Sequence, residues 1–219
     1  MRLWTTEYGT LWALETGNGL PARCQARVEV AFEEVGDDDI DELAAAMELP
    51  SSEPVQRRLR GNGRLQSKRR CFCLRVAREI AAYGWVTCGV ERVGELERQF
   101  NLCDDEAYIW DCVTLPAWRG QRLYSALLSH IIYQLHDEQI PRIWIGASRR
   151  NQPSIRGFAN AGFQPVVDVT YRRFYRLTLL WIHQALPAQR PLVAAAYRIL
   201  INEHEWRLGR LAVGFVSEQ

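Results

Sequence analysis

One joint constrains the fold of this chain more than any other feature. Residues 107–114 (Ala-Tyr-Ile-Trp-Asp-Cys-Val-Thr) read as a strand that runs into Pro116, and residues 121–136 follow as an amphipathic helix. Leu123, Leu127, Ile131 and Leu135 recur every four positions, which places them along one helix face. A strand passing through a short turn into such a helix is the unit of an α/β domain, because the helix must lay its apolar stripe back on the sheet. The first amides of that helix have no intrahelical partners and carry partial positive charge. Residues 120–125 therefore form an anion site, to which Arg119 or Arg122 adds charge-assisted bonds. The plainer reading is a common strand-turn-helix joint whose two arginines solvate the turn.

The flanking chain extends the pattern. Residues 27–35 alternate as a strand, and Asp37-Asp38-Asp39 caps a helix with Ile40, Leu43, Ala44 and Met47 on one face, stopped by Pro50. A second short helix opens at Ser51-Ser52-Glu53-Pro54 and ends at Gly61-Asn62-Gly63. Strands are expected at 70–77, 80–88, 143–147, 165–171 and 175–182, with a helix over 153–161 closed by Gly162. Residues 89–104 read as an irregular connection with a short strand near 96–100. A last helix opens at Pro191 and runs to Arg207. The order predicts an α/β fold with a mixed sheet: a segment 1–25 without a clear period, a core domain over 26–183, and a helical C-terminal extension over 184–219. The stripe Leu192, Ala195, Ala196, Ile199 and Leu200 must be covered by its own domain or by a second copy in a homodimer.

Composition excludes more than it selects. The 219 residues are 47% hydrophobic with a formal net charge of +1, so no global field favours nucleic acid or an anionic membrane. No apolar run approaches the roughly 18 residues of a membrane span, and the N-terminus has no apolar signal region, so a soluble cytoplasmic protein is expected. Six cysteines contain no C-x-x-C pair, and His204-Glu205 lacks the second histidine of a zinc helix, so no metal is expected. Arg57, Arg58, Arg60, Arg64, Lys68, Arg69 and Arg70 form the one charge cluster. It reads as a solvated loop, a seat for an anionic substrate or, third, a nucleic-acid contact.

Two motifs carry a resemblance. Thr114-x-Pro116-x-x-Arg119-Gly120-x-x-Leu123, followed by Ala126-Leu127-Leu128, resembles the pyrophosphate-binding motif of the GNAT superfamily of acetyl-CoA-dependent N-acyltransferases. Downstream, Asn151-x-x-Ser154-x-x-x-Phe158-x-x-x-Gly162-Phe163 is similar to that superfamily's second coenzyme A motif. The resemblance spans residues 27–182. It implies a GNAT-like mixed, mostly antiparallel sheet flanked by helices. It also implies acetyl-CoA or another acyl-CoA as cosubstrate without a metal, and transfer to a small-molecule or peptide amine by direct attack in a ternary complex. The backbone of Cys112, Val113 and Thr114 would pair with the pantetheine arm. Amides of Arg119, Gly120, Gln121, Arg122, Leu123, Tyr124 and Ser125 would hold the pyrophosphate, and Asn151 and Ser154 would flank the thiol end. A splay between 107–114 and 143–147 would hold the acyl group, with a strand amide at the oxyanion.

Three departures follow from the same alignment of motifs. The family's usual glycine stands as Arg122, its glycine or alanine as Tyr124, and the tyrosine that protonates the leaving thiolate as Phe158. The acid must then be Ser154, Tyr124 or solvent. Glu106 and Asp111 are the carboxylates available as general base. Asp111 sits in an apolar strand, where burial is expected to raise its pKa, and a purely structural carboxylate is the equal alternative. Cys112 reads as a small apolar strand residue rather than a nucleophile, and Tyr108 and Trp110 shape an acceptor pocket or fill the core. The alternative to an enzyme is a catalytically silent acyl-CoA-binding or scaffold module.

Overall fold

The computed structural model of the chain describes residues 5–61, 68–96, 98–175, 177–185, 189–201 and 205–215. Arg64 of the basic cluster and His204 lie outside the described residues. The strands are β1 (Thr5–Glu15), β2 (Ala31–Glu34), β3 (Lys68–Val76), β4 (Glu79–Cys88), β5 (Val90–Val93), β6 (Arg98–Asn101), β7 (Glu106–Thr114), β8 (Arg142–Ser148), β9 (Gln164–Phe174), β10 (Leu177–Gln184), β11 (Trp206–Leu208) and β12 (Leu211–Phe215). The helices are α1 (Ile40–Ala46), α2 (Glu53–Arg60), α3 (Leu123–Asp137), α4 (Gln152–Asn160) and α5 (Arg190–Leu200).

Ten strands form one sheet in the order β11-β12-β10-β9-β1-β8-β7-β4-β3-β2, and β5 pairs with β6 as a separate ribbon. Within the large sheet β7 and β8 are parallel and the other pairs antiparallel. A parallel pair needs a crossover, and α3 supplies it. Its stripe Leu123, Leu127, Ile131 and Leu135 is fully buried against Phe72, Leu74, Val86, Ile109 and Ile143. Phe158 of α4 joins that layer on the same face of the sheet. The opposite face is covered in two parts. α1 and α2 pack on Cys71, Cys73, Tyr83 and Trp85, while α5 and the β5–β6 ribbon pack on Leu11, Tyr108, Trp144 and Val167.

The sheet differs from the expectation at both ends of the chain. The segment without a clear period contains β1, which lies between β8 and β9. Its Leu11, Ala13 and Leu14 are all buried, so covering both faces erases the polar-apolar alternation that marks a one-sided strand. The strand expected over 27–35 is limited to Ala31–Glu34. The C-terminal helix ends at Leu200 instead of Arg207, and the chain returns as the hairpin β11–β12 on β10. The stripe of α5 is covered by the sheet itself: Leu192, Ala196, Ile199 and Leu200 are buried in the layer shared with β9 and β10.

Several members of the basic cluster are paired with acids: Arg57 with Glu53 one helical turn away, Arg58 with Asp111, Arg69 with Glu91, and Arg70 with both Glu34 and Glu138. The six cysteines are free, with Cys71 and Cys73 buried on one face of β3. No helix among the described residues is long and apolar enough to cross a membrane.

Candidate active site

The parallel strands at the centre of the sheet part company. Glu106, Ala107, Tyr108 and Ile109 of β7 pair with Arg142, Ile143, Trp144 and Ile145 of β8, and the pairing stops there. Beyond it Gly146, Ala147 and Ser148 stay paired with β1, while Val113 and Thr114 stay paired with β4. The edge of β7 that faces β8 is therefore left without a strand partner over 112–114. At the same level β7 bulges. Trp110 opposes Trp85 and Val113 opposes Tyr83, so Asp111 and Cys112 together face the single residue Gly84. Asp111 takes up the extra residue in the left-handed region at φ 45°, which aspartate tolerates better than most side chains. A Cβ on Gly84 would lie 2.7 Å from the Cys112 sulfur, so the bulge requires glycine opposite.

Past Thr114 a single 3-10 turn, Pro116–Trp118, leads to α3. The backbone is left-handed at Gly120 (φ 83°) and again at Arg122 (φ 59°), the N-cap of α3. The carbonyl of Gly120 accepts from the Arg27 guanidinium (3.1 Å) and that of Gln121 from the Arg27 amide (2.9 Å). Because N–H and C=O oppose each other across a trans peptide, the amides of Gln121 and Arg122 face away from Arg27, with the first turn of α3 beyond them. This is a nest of amides at a helix N-terminus. Arg122 holds the conformation that glycine gives freely, at a cost of about 1–2 kcal/mol. Arg119, Gly120 and Arg122 are exposed on it. The Thr114 hydroxyl, at the entrance, is buried with no hydrogen-bond partner among the described residues.

Tyr124 and Ser154 are brought together. Burial raises the phenol's pKa further above its ordinary value, and the nearby Ser154 side chain opposes part of that rise. The ring turns its edge to α4: a Cβ on Gly157 would sit 2.4 Å from it. Ser154 is placed by Asn151, whose side-chain oxygen accepts from the Ser154 amide (3.3 Å) as the N-cap of α4. Phe158 is sealed in the core, edge-on to Trp12 at 6.0 Å. Cys112 faces α3, and burial raises its thiol's pKa well above normal, which leaves it a protonated, small apolar residue.

The two carboxylates have different surroundings. Asp111, expected to be buried, is not: a third of its side chain is exposed, and it accepts a 2.5 Å bond from Arg58 of α2. The bulge turns it out of the apolar layer. Glu106 is the buried one, at the closed end of the strand pair. It accepts bonds from Arg198 (2.5 Å), Arg142 (3.1 Å) and the Cys103 amide (3.0 Å). Burial pushes its carboxyl up, but these three donors prevail and hold it below the usual range. Trp110 stacks on Trp85 at 5.5 Å, and its indole N–H donates to the Thr87 hydroxyl (2.8 Å). Thr87 in turn donates to Glu91, which Arg69 grips with two bonds. Arg58 lies 5.7 Å from the Trp110 ring centroid. Tyr108 is buried beside the ribbon, edge-on to Phe100.

Sequence reasoning names Arg58 only as a member of the basic cluster, not as the partner of Asp111, and misses Gly84 and Gly157. An isolated glycine within a strand or helix was the available signal, since it marks a close approach by another group.

The model of the acetyltransferase (GNAT) family matches residues 39–163. Among solved structures, a GNAT-family protein from Novosphingobium aromaticivorans is 16% identical, with 84% of this chain and 69% of that chain covered and a TM-score of 0.50. A GCN5-related N-acetyltransferase from Sphaerobacter thermophilus is 15% identical over 77% of this chain and 51% of its own, with a TM-score of 0.52. A tandem GNAT protein from the clavulanic acid biosynthesis pathway is 19% identical over 84% and 55%, with a TM-score of 0.50. The chain spans about half the length of these last two, and at such identities the likeness is one of fold. No curated protein matches it. The family match takes in more than half of the chain, including the bulged strand, the amide nest and both helices of the site. This chain belongs to the GNAT acetyltransferase family.

Proposed function

We propose that the protein transfers an acetyl or other short acyl group from acyl-coenzyme A to an amine, by direct attack within a ternary complex. The observation that carries this reading is the parting of β7 from β8 beside an amide nest. The residues present fit the cosubstrate. The open edge of Cys112, Val113 and Thr114 offers backbone pairing to an amide-bearing arm, and the orphaned Thr114 hydroxyl lies on that edge. The amides from Gln121 to Ser125, with Arg119 and Arg122 beside them, suit a pyrophosphate.

Bound acyl-coenzyme A supplies an acyl thioester. The chain's own groups then manage protons. Asp111 accepts the proton released as the amine nitrogen bonds to the acyl carbon, and Arg58 fixes the carboxylate for that task. Tyr124, kept protonated by burial and standing beside Ser154, holds the proton that the departing sulfur takes as the carbon–sulfur bond breaks. It does from α3 what Phe158 cannot do from α4.

The test is thiol release from acetyl-CoA across a panel of amines, with Tyr124→Phe alongside. Loss of the hydroxyl should lower kcat by about 10²-fold while leaving KM for acetyl-CoA in place. Coenzyme A binding without thiol release from any amine would instead support the silent binding module.

A further inference from the structure

The sheet face that carries α5 holds a cavity of ≈ 340 Å³, within the range of small-molecule sites. Its floor is made by two glycines. β1 directs Glu7, Gly9 and Leu11 to this face, and β8 directs Trp144, Gly146 and Ser148 to it, with Leu11 opposite Gly146 and Gly9 opposite Ser148. Where other strands would place side chains, these two leave space. The walls are Val93 and Leu96 before β6, Phe100, Tyr108, Val169 and Leu200. Among the described lining residues Glu7 is the one charged side chain.

The cavity adjoins the parting. Gly146, Ala147 and Ser148, one bank of the splay, are also part of its lining, and Tyr108 stands just before β7 diverges. Resting on the acyl-transfer reading, we infer that this cavity seats the acceptor, and that the acceptor is a monoamine with an apolar, aromatic or branched aliphatic body. A carboxylate or phosphate on the acceptor would be buried against these walls without a cation among the described lining residues, and sugar hydroxyls would lose water to leucine, valine and phenylalanine. An apolar body gains what those groups lose. Glu7 gives the rim the sign that draws a protonated amine and repels an anion.

Calorimetry with phenethylamine on the full chain tests the cavity by itself, without acetyl-CoA. Gly146→Ala is the informative variant, because the added Cβ meets its nearest neighbours, the Tyr108 hydroxyl among them, at an ordinary 3.6–3.9 Å and projects into the free space. It should weaken phenethylamine binding by at least about fivefold, and Glu7→Gln by about threefold. In turnover the same changes should appear as a rise in KM for the amine. Phenethylamine that gives no heat, binds indifferently to both substitutions, or is passed over in turnover for ethanolamine or phenylalanine overturns the inference. Failure of the acyl-transfer reading looks different: acetyl-CoA gives no heat and no amine releases thiol. Phenethylamine binding that still follows Gly146 and Glu7 would then sustain the ligand class and remove only the role of acceptor.

Discussion

The two ends of the β7–β8 pair are built from the same materials and put to opposite uses. At the closed end the strands are in register, and Glu106 sits buried between Arg142 of β8 and Arg198 of α5. Arg142 also reaches Glu15 of β1, so one carboxylate joins the first strand, the central pair and the C-terminal helix. At the open end the pairing stops, β7 bulges against β4, Asp111 is turned outward, and its partner Arg58 is itself one-third exposed. Both acids lie on one strand five residues apart. Surroundings, not residue type, make one a buried brace and leave the other at the solvent-facing mouth of the parting.

Breaking the closed end should produce the largest effect. Glu106→Gln strips two guanidiniums of their buried counter-charge and turns one acceptor oxygen into a donor, which costs about 3 kcal/mol, the low end for a broken buried pair because both arginines keep some solvent. The urea midpoint should fall with an unchanged m-value. The pH dependence has a definite sign. A carboxylate held below its unfolded value contributes fully above that value, about 4.3 for glutamate, and the contribution is lost as pH falls through the lowered folded value. Wild-type stability should therefore drop more steeply than the variant's in that acid range.

The same substitution at the open end should act on rate. Asp111→Asn keeps a side chain that tolerates the left-handed backbone, and the ion pair it removes is exposed enough to be worth no more than about 1 kcal/mol. If Asp111 takes the proton, kcat should fall on the order of 10²-fold, with acetyl-CoA affinity kept. Equal stability losses at the two ends, or a rate unchanged at Asp111, would erase the distinction.

The sequence makes this contrast only half legible. The run from residue 107 through α3 reads correctly because a proline and a four-residue apolar repeat are local signals. The burial of Asp111 was misjudged because the bulge exists only through register with Gly84, which no property of β7 encodes. The partners of Glu106 lie 36 and 92 residues away, beyond any pattern. β1 was missed since a strand covered on both faces lacks alternation, and Val90–Val93 because its Val-Glu-Arg-Val run is short and half charged. The cavity that depends on Gly9, Gly146 and the β5–β6 ribbon was hidden with them.

A third substitution asks how tightly the open end is built. Tyr124 lies so close to Gly157 that Gly157→Ala must displace the ring or α4. The cost should be about 2 kcal/mol, as for an overpacked core. Combined with Tyr124→Ala, the penalty of the alanine should largely vanish, since the clash needs both partners, and a double-mutant cycle of denaturation free energies reads that coupling.

The smallest effect is expected where the family's glycine is replaced. Arg122 stands at φ 59°, a conformation that costs an ordinary side chain about 1–2 kcal/mol. Arg122→Gly relieves that strain but gives the unfolded chain more freedom, worth about 0.5–1 kcal/mol in the other direction. The net change should be a stabilisation of about 0.5 kcal/mol, a small rise in melting temperature. Acetyl-CoA binding should move the opposite way, because the exposed guanidinium beside the nest is lost, and the loss should shrink as salt rises. A variant that is more stable yet binds acetyl-CoA less tightly at low salt would mean that the open end accepts backbone strain in exchange for charge. The closed end, where Glu106 is satisfied by three donors, has no such exchange to make.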